Sequence, residues 1–264
     1  MCRVYGVTRE GYYSWKRRGK SQRRVEDEWL SEEISHVYEK SGKLYGSPKV
    51  HEALKRRGIS AGQKRVARIM RENGQKARVA KVYKRDPGRK AHFTRIPNRQ
   101  LQSKIDDCNQ VWVGDLTYLK VGRENRYLAV VMDKHSRRVV GWSYGRKKNS
   151  DLTLSAFNQA VRNRAVTEGL VFHSDRGAEY AAFTYQEKLV QHGVTQSMNR
   201  PGKMNDNAVV ESFFHNFKAE RIQNRVFRSD EVLRGAIKGY VHFYNQTRLH
   251  SSLGYLSPSE FEVN

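Results

Sequence analysis

Between residues 111 and 198 the apolar residues of this chain change period in a set order, and that order leaves few folds open. Residues 111–121, 126–133 and 139–144 read as strands, with 122–125 and 134–137 supplying the hairpin turns between them. A helical stripe follows in 151–164, carried by Leu152, Leu154, Ala156, Phe157, Ala160 and Val161. Gly169 precedes a short apolar strand, 170–173. Residues 181–192 read as a second helix stopped by Gly193, and 194–198 as a fifth strand. A further helix opens near Asn205, Asp206 or Asn207, each a natural N-cap, and runs to Lys218. A three-strand meander followed by helix–strand–helix–strand–helix predicts an α/β domain with a mixed five-stranded sheet.

Three acids occupy particular places in this pattern. Asp115 lies in the middle of the first strand, in V-W-V-G-D-L-T-Y-L-K-V. Asp175 ends the fourth, in H-S-D-R-G (His173 to Gly177). Glu211 stands in the first turns of the last helix, where Glu211, His215 and Lys218 share one face. An aspartate inside an apolar strand is costly unless paired, protonated or metal-bound. Two carboxylates ~4 Å apart repel by about 4 kcal/mol at an effective dielectric near ~20. A hard divalent cation removes that repulsion, and oxygen-only ligands favour Mg²⁺ or Mn²⁺ over zinc. Two such ions, roughly 3.5–4 Å apart, activate a nucleophile and stabilise the leaving oxygen in phosphodiester chemistry. Each acid alone has a plainer reading. Asp115 can be a polar strand residue, Asp175 a turn aspartate, and Glu211 an exposed helix residue pairing with His215. Their order along the chain is what favours a shared site.

The words around these acids carry a resemblance. They are W-V-G-D-L-T-Y, H-S-D-R-G-A-E-Y, D-N-A-V-V-E-S-F-F and Y-N-Q-T-R-L-H-S-S-L-G-Y-L-S-P, with 35 residues between Asp175 and Glu211 and Lys218 seven beyond the glutamate. Together they resemble the second-frame product of the IS-three-type bacterial insertion sequences, with its DDE, retroviral-integrase-like core. The resemblance covers nearly the whole chain. It implies an RNase H-like α/β core in which strands one and four are neighbours and the glutamate helix packs across them. It implies a DNA transposase that cuts a 3′ end of its element with water and then uses the freed 3′-OH to attack DNA. Asp115, Asp175 and Glu211 are then the catalytic residues and metal ligands, with His173, Asn207 and His215 in support. The implied partners are the element's terminal repeats, target DNA, further copies of the chain and an upstream-frame product. The implied place is the bacterial cytoplasm, at the nucleoid. An RNase H-like nuclease without strand transfer and a non-catalytic DNA-binding regulator stay open as alternatives.

Charge points the same way. The 264 residues carry 50 Lys and Arg against 27 Asp and Glu, a net +23. Residues 1–100 hold 27 of the basic and 10 of the acidic residues, so a polyanion partner for this half is expected. Residues 1–20 read as the end of a helix-turn-helix, with Gly6 as a turn and Thr8 capping a helix that bears Tyr12, Tyr13 and Trp15. Residues 25–75 predict a helix-turn-helix-like DNA-binding domain of three short helices. The first, 26–40, places Trp29, Leu30, Ile34, Val37 and Tyr38 on one stripe. Ser47-Pro48 opens the second and Gly58 closes it. Ser60 opens the third, with Val66, Ile69 and Met70 inward. Lys64, Arg65, Arg68 and Arg71 are expected to be exposed, either for the major groove or as a solvated cationic face.

Residues 76–106 predict a basic linker: 76–104 hold ten basic residues and one acid, Asp86. Residues 107–264 predict the catalytic domain with a helical tail at 230–244, stapled to the core by Tyr244, Asn245, Arg248 and His250. Lys203, in the basic loop 200–206, and Lys218 are candidate DNA contacts. Cys2 and Cys108, lacking CxxC spacing, support neither a disulfide framework nor a zinc site. No apolar run nears the ~18 residues of a membrane span, and no signal-peptide core is read at the start.

Overall fold

The computed structural model describes residues 6–77, 96–101, 104–201 and 203–264. The chain divides into two compact units, Met1–Arg78 and Val79–Asn264. Most of the expected linker, 78–95, lies outside the described residues.

In the first unit α1 spans Arg9–Arg17, α2 Gln22–Lys40, α3 Ser47–Arg56 and α4 Gln63–Glu72. Thr8 caps α1, its hydroxyl accepting from the Gly11 N–H at 3.0 Å, yet no residue of α1 is buried. The apolar core comes from α2 to α4: Leu30, Ile34 and Val37 meet Val50, Leu54, Val66, Ile69 and Met70. Trp29, expected on this stripe, is 52% exposed. Leu30, Ile34, Val37 and Tyr38 set the buried face, and each residue step turns a helix by about 100°, which carries position 29 off its edge. Glycines, not serines, stand at the starts of α3 and α4, at Gly46 and Gly62, so Ser47 lies inside its helix and Ser60 outside. Gly58 has φ 77°, a left-handed conformation cheap for glycine, and with Ile59 it closes α3 by backbone bonds to Lys55 and Leu54.

Among the described residues the second unit is built on one five-stranded sheet, order β3-β2-β1-β4-β5. Strand β1 spans Val111–Val121, β2 Glu124–Asp133 and β3 Val139–Gly145; α5 is Ser150–Asn163; β4 is Val171–Ser174; α6 is Ala178–Ala181 and α7 Phe183–Gln191; β5 is Thr195–Met198; α8 is Ala208–Phe217, α9 Asp230–Gln246 and α10 Pro258–Phe261. The first three strands pair antiparallel, and β4 is parallel to both β1 and β5. Strands one and four are neighbours, as expected.

Successive side chains of β1 point to opposite faces. Val111, Val113 and Leu119 enter a core with Val210, Phe213, Phe217, Ile237 and Tyr240 of α8 and α9. Trp112 enters the other core, with Phe157 of α5 and Tyr185 and Leu189 of α7. Gly141 lets α5 close on the sheet: a Cβ there would stand 2.2 Å from the Ala156 carbonyl oxygen. The helix expected at 181–192 is broken at Ala182, which is extended. Residues five apart on an unbroken helix point about 140° away from each other. The break instead sets Tyr180 and Tyr185 both against Phe172, with ring centroids at 6.0 and 5.5 Å.

Candidate active site

The register of β1 and β4 assembles the centre of the site. Val113 pairs with His173 and Gly114 with Ser174 in parallel, so Asp115 and Asp175 follow side by side. Gly114 leaves room for a neighbouring ring: a Cβ there would lie 2.4 Å from the Phe172 ring. Asp175 folds into a tight turn, its Oδ1 accepting from the Gly177 N–H at 3.0 Å. Helix α8 supplies Glu211 from the sheet face that also bears Asp115. Its N-cap, Asn207, sends its amide to β1 and not to its own helix, donating from Nδ2 to the Gly114 carbonyl oxygen at 3.0 Å.

Burial, then the charge of Asp175 and that of Glu211, push the Asp115 carboxyl well above the usual carboxylate range; the Leu116 N–H, 2.7 Å away, and Lys148 oppose them. Carboxylates at the end of β4 and on α8 thus act on Asp115 of β1; together the three would make an all-oxygen donor set of the kind that suits a hard cation. A cation would relieve the repulsion felt by Asp115. As placed, no three His, Cys, Asp or Glu side chains among the described residues are disposed to hold an ion. Gathering the acids on shared ions therefore requires side-chain rotation.

Lys218, half-buried, lies with its ammonium 4.8 Å from the centroid of the exposed Tyr118 ring. Burial holds its pKa below the ordinary lysine value, and Asp115 pulls it back up. Helix α8 ends just before it and a π-helical turn, Lys218–Ile222, takes over. Tyr118 and Lys148 were not among the expected site residues. Lys148, which pairs with Glu179 at 2.9 Å, stands in a loop with no motif to mark it. Tyr118 had a signal, an aromatic three places past the strand acid, that also fits an ordinary strand residue.

The supporting residues separate. His173 is fully buried, with Nδ1 2.8 Å from Ser197 Oγ and Nε2 2.7 Å from Asn199 Oδ1. Burial pushes its pKa down to about 4, so it is neutral near pH 7. His215 and Lys203 are exposed.

Of the four bases expected to be exposed on α4, Lys64 and Arg71 are. Arg65 and Arg68 are not. Arg65 Nε and Arg68 Nη2 both donate to Asp27 of α2 at 2.6 Å, and Arg68 also reaches Glu72 at 2.9 Å. Three residues apart, the two arginines share a helix face, and here that face meets the acid of a neighbouring helix.

Comparison with known proteins gives the family. Residues 106–204 match an integrase core domain family, 192–258 a second integrase core domain family, and 24–83 an HTH-like domain family. The chain is 34% identical to transposase InsF for insertion sequence IS3A of Escherichia coli (strain K12), over 99% of this chain and 92% of that one. It is also 34% identical to an uncharacterized 31 kDa protein of insertion element IS600 of Shigella sonnei, over 99% of this chain and 97% of that one. The magnesium-bound catalytic core domain of HTLV-2 integrase (trimeric form) aligns at 22% identity and a TM-score of 0.45, over 58% of this chain and 96% of that one. The integrase core family is divalent-metal dependent. With an integrase core behind an HTH-like domain and this identity across almost its full length, the chain belongs to the InsF-type transposases of IS3 insertion sequences, enzymes of the polynucleotidyl transferase class.

Proposed function

We propose that Asp115, Asp175 and Glu211 hold two divalent ions, Mg²⁺ or Mn²⁺, and that the chain cuts DNA at a 3′ end of its element and joins the freed 3′-OH to target DNA. The observation that carries this reading is the effect on Asp115 of β1 of two further carboxylates, Asp175 at the end of β4 and Glu211 on α8. When bound, such ions activate the attacking water or 3′-OH and offset charge on the leaving oxygen. The protein's part is placement. The β1–β4 register sets Asp115 beside Asp175. Asn207 pins the start of α8, and with it Glu211, to the strand that bears Asp115. Lys218, over Tyr118 and near Asp115, is positioned to meet a phosphate flanking the scissile bond. The tyrosines serve packing or stacking; no covalent protein–DNA bond is needed.

DNA is the partner of both units in this reading. Lys64 and Arg71 of α4 contact phosphates in the first, with Arg65 and Arg68 bracing that helix; Lys203 and Lys218 contact DNA in the second. Residues 1–20 and 25–75 form the DNA-binding region, 76–106 a basic connection, and 107–264 the catalytic domain. Several copies assemble on the element ends, with the upstream-frame product as a further partner, in the bacterial cytoplasm. No helix among the described residues is long and apolar enough to cross a membrane.

A labelled element-end duplex incubated with the full chain, Mg²⁺ and target DNA tests the reading. Joined product is expected. Nicking without joining would make the chain a nuclease, and shifted but uncut DNA a binding protein. Asp175→Asn and Glu211→Gln are expected to abolish both steps and to leave the shift intact.

A further inference from the structure

Residues 96–100 belong to the stretch whose composition reads as linker, yet all five are fastened to the core. The Ile96 carbonyl oxygen accepts from Arg176 Nη2 at 3.1 Å, and that of Pro97 from the Met198 N–H at 3.3 Å. Asn98 Nδ2 donates to Asp206 Oδ2 at 2.8 Å, and the Arg99 N–H to Ser197 Oγ at 2.9 Å. The segment thus lies along β5, the edge strand of the sheet.

Gln100 completes it and is 3% exposed. Its Nε2 donates to the Asp206 carbonyl oxygen at 2.7 Å and reaches His173 Nε2 at 2.8 Å. Its Oε1 accepts from Lys134 Nζ at 2.8 Å. The two backbone segments it touches lead straight into two of the acids. His173 is two residues before Asp175, and Asp206 five before Glu211. The amide therefore spans from the end of β4 to the loop that opens α8, while Lys134 anchors it to the β2–β3 turn.

We propose that Gln100 is a positioning residue that sets the strand-end acid Asp175 against the helix acid Glu211 by bridging His173 and Asp206. This rests on the reading of those acids as the metal-holding pair. Gln100 touches neither the acids nor substrate; it acts through the two segments that carry them. A buried side-chain amide with both ends bonded allows each segment few alternative placements. Displacements on the order of 1 Å far from the chemistry cost roughly 100-fold in rate.

The test uses the full chain carrying Gln100→Met, which keeps the volume and removes every bond, and Gln100→Glu, which keeps an acceptor for Lys134 but cannot donate to the Asp206 carbonyl. Hydrogen exchange of the protein without added metal, Mg²⁺ titration by calorimetry, and cleavage against Mg²⁺ concentration are the readouts. Both variants are expected to exchange at least about tenfold faster at residues 174–177 and 199–206, with β1 and β2 unchanged. Mg²⁺ binding weakens by about tenfold, and the Mg²⁺ needed for half-maximal cleavage rises in step, while DNA affinity holds. Faster exchange across β1 and β2 as well, or failure of both variants to fold, makes Gln100 an ordinary core residue and overturns the proposal. A wild-type chain that binds Mg²⁺ and cleaves, matched by both variants, overturns the proposal alone. A wild-type chain that neither binds Mg²⁺ nor cleaves removes the catalytic reading and this proposal with it.

Discussion

Asn207 donates its side-chain amide to the carbonyl oxygen of Gly114 across 3.0 Å, joining the first turn of the glutamate helix to the strand residue just before Asp115. The apolar contacts of Val210 and Phe213 hold α8 on the sheet, but contacts of that kind leave sliding and rotation loosely set. A directed bond between two buried backbone levels fixes them. Asn207→Ala is expected to lower the cleavage rate by roughly 100-fold, with DNA affinity changed by less than about threefold. Single-turnover cleavage beside a binding titration checks this. Equal losses in both would show that the bond serves general stability.

Asp115 sits in its strand at a cost. Its carboxyl is pushed up by burial and by two neighbouring acids, so near neutral pH the metal-free protein carries strain that a cation relieves. Asp115→Asn keeps the shape and removes the charge. Without metal the variant is expected to be more stable than wild type, by on the order of 1–2 kcal/mol, and so to unfold at a higher temperature. Added Mg²⁺ raises the midpoint of wild type and not that of the variant, and the variant does not cleave. Thermal unfolding with and without Mg²⁺ measures all but the last. A variant less stable than wild type under metal-free conditions would contradict the repulsion argument.

The pH dependence of stability has an identifiable source in His173. Its pKa falls from 6.5 to about 4 on folding because the ring is buried, so between these values the unfolded chain binds the proton and the folded chain does not. The His173 contribution is therefore complete above about pH 6.5 and is lost as pH falls toward 4, by up to about 3 kcal/mol. His173→Gln cannot take up the proton. Urea midpoints at pH 7 and near pH 4.5 are expected to differ more for wild type than for this variant. Parallel pH profiles would show that the ring is not held neutral.

On α4, exposure and pairing give the four bases different work. Lys64 and Arg71 are exposed, while Arg65 and Arg68 are bonded to Asp27. Replacing Lys64 and Arg71 together by Ala is expected to reduce the slope of log affinity against log salt by about 2, measured between about 50 and 200 mM. Arg65→Ala is expected to leave that slope nearly unchanged and to lower the melting temperature of the helical unit. The reverse pattern would move the DNA contact to the other face of the helix.

How much of this was readable from the sequence depended on the range of the interaction. The strands were legible because a run such as V-W-V-G-D-L-T-Y-L-K-V states its period locally, while the adjacency of Asp115 and Asp175 was what the family resemblance implied. The break at Ala182 was not, because A-A-F-T holds no Gly or Pro; Tyr180 and Tyr185, on either side of it, both lie against Phe172. Trp29 and the paired Arg65 and Arg68 were misplaced because the identity of the facing helix decides which edge of a stripe is buried. Gln100 was invisible. Its partners His173 and Asp206 lie 73 and 106 residues away, and its own neighbourhood is rich in basic residues.

The C-terminal motif has a role of its own in holding the fold. Arg248 and Glu220 are 6% and 8% exposed and pair at 2.8 Å, with the Tyr240 hydroxyl donating to the same carboxylate at 2.8 Å. Glu220 belongs to the π-helical turn that begins at Lys218, so the pair ties that turn to the segment after α9. Removing one partner of a buried ion pair strands the other charge. Arg248→Met alone is expected to cost about 3–5 kcal/mol in unfolding free energy. Glu220→Gln keeps an acceptor for Tyr240 and removes the charge that Arg248→Met would strand. The double variant Arg248→Met with Glu220→Gln is therefore expected to be more stable than Arg248→Met alone. The shortfall from additivity should reach on the order of 1–3 kcal/mol. Denaturant unfolding of the two single variants and the double variant measures it. If the losses simply add, Arg248 and Glu220 act on the fold separately, and the tie between the Lys218 turn and the C-terminal segment is apolar.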